Sequence, residues 1–327
     1  MDFVELHKRN IRNTYLLVSV FILMMGILGL LIDALFGVFP AGTIVLIFIA
    51  LIQTLVGTSS GASLVLRSVG ARPINEKDFE EKQLQNIVEE VCLAAGLKEV
   101  PKLYVMEDEN INAFATGFRR ESSAICVTSG LLKNLNREET EGVVAHEVSH
   151  IINRDTLLMT TISAILGTMV LVQLFAWRSL RLLASSSTPR RSSKKGKDSG
   201  VAYLLVALLI IALVATLFSL IGRITIFAVS RTREYLSDAK AVELTRNPKG
   251  LSNALRKIAK TQKMKPKVKN ATIATAHLFI SDPLKRKVNE KEGFFANLFS
   301  THPPIHKRIA LLEKVPPEMV LRELQQT

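Results

Sequence analysis

Four runs without a single charged side chain constrain this sequence more than any other feature. They cover residues 14–32, 41–66, 157–177 and 199–222. A helix needs roughly 18–20 mostly apolar residues to cross a hydrocarbon core about 30 Å thick, and each run meets that length. One such run is compatible with a buried helix of a soluble protein. Four in 327 residues predict an integral membrane protein that is mostly α-helical, with up to four transmembrane helices. The first run is too long for the apolar core of a cleaved signal peptide, and the second follows it closely without an export-cleavage pattern. Asp33, in the short connection between them, reads as a turn residue.

Removing these runs leaves two polar blocks, 67–156 and 223–327, which together hold about 195 residues. That is enough for one folded domain with its own core. The expected organisation is therefore an N-terminal membrane hairpin (1–66), a first half of a catalytic domain (67–156), a second membrane hairpin with a basic loop (157–222) and the second half (223–327). No repeat of 20–50 residues is present. Residues 178–198 are Ser- and Lys-rich and predict a disordered loop. Basic residues near span ends favour a cytoplasmic location for the N-terminus and both polar blocks, by 13 to 7. The seven on the opposite side, from Arg178 to Lys197, are in tension with that count. A loop that stays cytoplasmic because the third and fourth runs do not fully cross is the alternative.

The net charge is +13. The basic residues lie beside apolar segments, which points to anionic lipid headgroups and not to nucleic acid. Arg256, Lys257, Lys260, Lys263, Lys265, Lys267 and Lys269 form one such cluster, readable as a lipid-docking surface or as a solvated basic loop. Cys92 and Cys126 are the only cysteines, which fits a reducing compartment and argues against a disulfide scaffold or a Cys-ligated metal.

The polar blocks carry local signals. Apolar spacing from Glu76 to Leu97, with Gly96 near its end, predicts a helix. Residues 102–106 and 123–127 predict strands. Asn136 with Glu139 three residues on marks a helix start. That helix contains His146-Glu-Val-Ser-His150, expected to run to Asp155 just before the third apolar run, which sets the motif at a bilayer surface. Histidines at i and i+4 leave one helix face a turn apart, the spacing at which two imidazoles reach one tetrahedral Zn²⁺. Glu147 stands beside them without being a ligand, as a general base acting on water. Small and apolar flanks (Val143, Val144, Ala145, Val148, Ile151) predict a buried helix, where unsatisfied polar groups are costly.

A third histidine six residues after His150 is absent, since Thr156 occupies that position. Arg233-Glu-Tyr-Leu-Ser-Asp238 offers a glutamate instead. Glu234 completes a His₂Glu set with an open fourth position, and Asp238, one turn on, is placed to accept a ligand histidine's free N–H. Glu243 is the competing donor. The cofactor expected is one Zn²⁺ per chain.

H-E-V-S-H-I-I-N-R-D followed by R-E-Y-L-S-D-A-K-A, with an apolar hairpin between them, resembles the HtpX-type membrane zinc metallopeptidases, relatives of the CAAX prenyl proteases in the gluzincin group. Asn112-Ala-Phe-Ala-Thr-Gly117 and Thr301-His-Pro-Pro-Ile-His-Lys-Arg-Ile309 match the same family in the same order. The resemblance implies a gluzincin-type α+β protease domain with a small sheet. It also implies endopeptidase cleavage of misfolded or damaged membrane proteins by metal-activated water, in a prokaryotic inner membrane. Asn112 and the strand near residues 123–127 are implied to line the cleft, with substrate adding as an edge strand. His302 is implied to hold the oxyanion, with His306 as its alternative. Arg308 is assigned to the surroundings of the metal set, with a helix-face salt bridge as the alternative. A CAAX-type processing protease and a non-catalytic zinc scaffold are the rival readings.

Overall fold

The computed structural model describes residues 3–117, 122–186, 198–264, 266–272, 275–276, 278–284 and 303–326. His302, Lys265 and residues 187–197 of the basic loop lie outside them. The described chain forms helices α1 (Phe3–Phe36), α2 (Ala41–Ser68), α3 (Phe79–Ala94), α4 (Ser129–Asn134), α5 (Arg137–Ile152), α6 (Asp155–Ser186), α7 (Asp198–Thr245) and α8 (Pro248–Met264). The last two are α9 (Ile305–Glu313) and α10 (Pro317–Gln326). Strands β1 (Arg72–Pro73), β2 (Lys102–Met106), β3 (Ala113–Thr116) and β4 (Ala124–Thr128) make one mixed sheet in the order β1-β2-β4-β3. The chain divides into two compact units: residues 1–14, 57–161 and 226–327, and residues 15–56 and 162–225.

The second unit is helical and its outer surface is apolar. Phe21, Met24, Met25, Ala50 and Met169 form one buried cluster, and Leu28, Ala176, Ile211 and Ala212 another. Leu23, Phe48, Phe175 and Leu213 are exposed. Such a surface suits hydrocarbon, and helices satisfy their own backbone groups there. Three helical stretches are long and apolar enough to span a membrane: Arg12–Phe36, Asp155–Ser185 and Gly200–Gly222. Ala41–Leu55 is a shorter apolar helix, so the count among the described residues is three where the sequence allowed up to four. Asp33 is not a turn residue. It lies within α1, buried, and its carboxylate accepts from Gly42 N (2.6 Å), Thr43 N (3.0 Å) and Thr43 Oγ1 (2.6 Å). It thereby satisfies donors at the start of α2 that a helix N-terminus leaves open.

In the first unit the sheet and α3, α5 and α8 enclose the core. Asp78 caps α3, accepting from Glu80 N and Glu81 N, and Gly96 leaves the helix with φ 66°. Leu84, Ile87, Val88 and Val91 then face inward. Helix α5 begins with a complete capping box: Asn136 accepts from Glu139 N (2.9 Å) while Glu139 accepts from Asn136 N (2.8 Å). Val143, Val144, Ala145, Val148 and Ile151 are each at most 1% exposed, so α5 is buried on almost every side. Each large apolar side chain buried this way contributes roughly 1.5–3 kcal/mol.

Close approach fixes α5 against α8. A Cβ on Gly142 would lie 2.6 Å from Leu251 N and 2.8 Å from Leu251 Cα. Both are backbone atoms with no rotamer to escape into. A Gly142→Ala change gains about 1 kcal/mol of helix propensity, but overpacking of this kind costs about 1–3 kcal/mol. We therefore expect a lower thermal unfolding midpoint for Gly142→Ala in detergent. A midpoint at or above wild type would refute the tight contact.

Candidate active site

Helix α5 ends at Ile152, earlier than the Asp155 expected from sequence. Asn153 is its C-cap, and Arg154 takes a left-handed conformation (φ 59°) before α6 starts at Asp155. His146 and Glu147 are buried, and the His150 side chain is 16% exposed. Helix α7 supplies Glu234 and Asp238, both buried.

Three ligand-type atoms converge. His146 Nε2 and His150 Nε2 are 3.2 Å apart. Glu234 Oε1 is 3.6 Å from His150 Nε2, and Oε2 is 3.8 Å from His146 Nε2. Two ligands on one tetrahedral Zn²⁺ at 2.0–2.1 Å stand roughly 3.3–3.4 Å apart, so the set fits that ion. Among the described residues, neither carboxylate oxygen of Glu147 has a hydrogen bond of ordinary geometry, although the Ala115 N–H is directed toward it. A buried carboxylate left like this is costly unless something else in the site uses it. Burial pushes Glu147 up to about 7; Glu234 adds to this, while His150, the Ala115 N–H and Arg308 oppose it.

The ring nitrogens facing away from this set also have partners. His146 Nδ1 lies 2.9 Å from Asp238 Oδ1. Asp238 in turn receives Arg308 through Nε (2.8 Å) and Nη2 (2.7 Å), a two-point contact. Arg308 is fully buried; its Nη1 donates to Ile280 O at 3.0 Å and lies 3.2 Å from Glu234 Oε2. Burial alone would lift the Asp238 carboxyl, but Arg308 and His146 hold it below the usual carboxylate range. Burial also lowers His146, and Arg308 and His150 reinforce this against Asp238. His150 behaves oppositely: burial works against its charge, but Asp155, Glu234 and Glu147 raise it to about 9.

The structure does not bring every candidate to this point. Asn112 is buried ahead of β3, where its side chain donates to Ser281 O (3.1 Å) and accepts from Ala113 N (3.1 Å). These bonds hold loop to strand, and Asn112 is not among the described residues lining the cleft below. Strand β4 is not an edge, because β2 and β3 use both its sides; β1 and β3 are the outer strands, and β3 is bridged on its outer side at Phe114–Phe279, with Ile280 N donating to Ala113 O (2.8 Å). A cleft at the site is lined by Ala115, Glu147, His150, Met159, Glu234 and Leu278, among others. His306 is buried on α9. The basic cluster is less available than its sequence implied. Arg256 pairs with Glu313 (2.8 Å) and Glu323 (2.7 Å), and Lys257 with Glu139 (2.7 Å). Its first part is helix α8, not a loop.

Two histidines from α5 and a glutamate from α7, a carboxylate beside them, and helices of membrane-spanning length define the class of membrane metallopeptidases. The sequence profile of Peptidase family M48 matches residues 78–315. A "Protease HtpX homolog" of Thermoanaerobacter pseudethanolicus is 40% identical over 312 residues, covering 95% of this chain and 97% of that one. Another from Ligilactobacillus salivarius is 36% identical over 306 residues, covering 93% and 97%. The crystal structure of S. mikatae Ste24p superposes with a TM-score of 0.50 at 17% identity, covering 88% of this chain but 62% of that one, and so shares the fold. This chain belongs to peptidase family M48, alongside the HtpX proteases, and is a membrane metallopeptidase.

Proposed function

We propose that this protein is a zinc-dependent endopeptidase that cleaves misfolded or damaged membrane proteins at the cytoplasmic face of a prokaryotic inner membrane. In this reading His146, His150 and Glu234 hold one Zn²⁺, which supplies Lewis-acid polarisation of a carbonyl and activation of water. The observation that carries it is the convergence of those three donors beside a buried Glu147 carboxylate that, among the described residues, has no hydrogen-bond partner of ordinary geometry.

Glu147 takes a proton from the attacking water and returns it to the leaving amine. Asp238 accepts the Nδ1–H of His146 and fixes the tautomer that leaves Nε2 available, while Arg308 holds Asp238 in place. An extended substrate backbone adds along the outer side of β3 beyond its bridge to Phe279, where Ala115 lines the cleft. His302 is kept as a group for the oxyanion. Asn112 acts by setting the start of β3.

Residues 67–156 and 223–327 act as one catalytic domain in this reading. The membrane setting is supported by α6, whose candidate span begins at Asp155 itself, and by α7, which carries both a candidate span and Glu234. Substrates held near a bilayer reach such a cleft most easily. Lys260, Lys267 and Lys269 are exposed and take no part in the Arg256 and Lys257 pairs, and they are proposed to meet anionic headgroups.

Metal analysis of wild type beside Glu234→Ala tests the ligand set. We expect one zinc per chain in wild type and loss of most of it in the variant, with chelator-sensitive casein cleavage lost in parallel. Full zinc retention by Glu234→Ala would overturn the His₂Glu assignment.

A further inference from the structure

His150 has its own carboxylate. Asp155 Oδ2 lies 3.1 Å from His150 Nδ1, and Asp155 Oδ1 lies 3.5 Å from Arg233 Nη1. Asp155 and Arg233 are 1% and 3% exposed. It parallels the first histidine, where Asp238 stands between His146 and Arg308, although Arg308 makes a two-point hydrogen bond there and Arg233 reaches Asp155 only as an ion pair. From it we infer that Asp155 is a second positioning carboxylate, which fixes the His150 ring for metal binding and ties it to the element carrying Glu234. The inference rests on His150 being a ligand.

The chemistry of the ring supports this. His150 Nε2 faces His146 and Glu234, so a lone pair is needed there and the proton belongs on Nδ1. A carboxylate only accepts, so Asp155 selects that tautomer. The Ser237 hydroxyl also lies 3.1 Å from His150 Nδ1, but a hydroxyl donates or accepts and selects neither form. The backbone is arranged to bring Asp155 back. Asp155 follows α5 by only a short turn, and the left-handed Arg154, an uncommon state for a side chain of that size, reverses the chain so that the carboxylate returns to the helix it has just left. Arg233 directly precedes Glu234, so Asp155 links the two elements that supply ligands. Asp155 is also the first residue of a candidate membrane span, which places the start of that span in contact with the metal set.

The test uses the full chain in detergent, loaded with Zn²⁺ and challenged with a chelator. Asp155→Asn should still bind one zinc at saturation but hold it about 10–100-fold more weakly, the usual effect of losing a histidine's outer partner. Asp155→Glu, which keeps an acceptor-only group, should recover most of that loss. Ser237→Ala should change retention by less than about threefold, on the same argument that the carboxylate sets the ring. Metal-free unfolding midpoints are measured in parallel. A purely structural Asp155 would lower the metal-free midpoint and leave chelator competition unchanged, which overturns the inference. So does a loss that appears in Ser237→Ala instead, and this arm decides the matter if Asp155→Asn does not fold. If His150→Ala holds zinc as wild type does, the ligand reading fails, and that outcome is distinct from normal loss in His150→Ala with no effect at Asp155.

Discussion

Replacing Glu147 by Gln is expected to leave zinc content unchanged and to lower peptide cleavage by a factor on the order of 10²–10⁴, the usual worth of one general base. The substitution is nearly isosteric. No ordinary hydrogen bond from a described residue reaches either carboxylate oxygen, so the amide breaks no network when it replaces the acid. What is removed is the proton site. A carboxylate here can take a proton and give it back within one turnover. A glutamine at this position can do neither. Removing a buried charge also lowers a desolvation cost, so the unfolding midpoint should stay level or rise. Casein cleavage and elemental analysis on the same preparation separate the outcomes. Cleavage at the wild-type rate with zinc in place would remove Glu147 from the mechanism.

The parts of this site that lie on one helix were legible in the sequence, because helical spacing converts directly into shared faces. His146 with His150 and Glu234 with Asp238 are both i, i+4 pairs, and the structure sets the two pairs against each other. The apolar flanks of α5 and its Asn136–Glu139 box are likewise local signals. Asp155 was missed although it is five residues from His150, because its position depends on a left-handed turn at Arg154 that no apolar period announces. Edge and interior strands were confused for a related reason. Strand order follows from pairing across the chain, and β4 has the short apolar run that any buried strand would have. Arg256 and Lys257 looked free because their acidic partners, Glu313, Glu323 and Glu139, are distant in sequence.

Arg308 carries the largest expected effect on stability. The sequence left it between the surroundings of the metal set and a helix-face salt bridge, and the structure buries it fully among Asp238, Glu234 and the Ile280 carbonyl. Replacing it by Met keeps much of the apolar stem and removes the charge. Asp238 and Glu234 then remain buried without the guanidinium that balances them. Breaking a buried pair from one side costs about 3–5 kcal/mol, because the partner's desolvation is no longer offset. We expect a loss of that size for Arg308→Met, read by chemical unfolding of the metal-free protein. Arg308→Lys should recover only part of it, since an ammonium cannot make the two-point contact to Asp238. The deficit should shrink when zinc is added, because a divalent ion beside Glu234 replaces part of the missing positive charge. A metal-free Arg308→Met protein within about 1 kcal/mol of wild type, the level of an exposed ion pair, would show that Arg308 is not what balances the two acids.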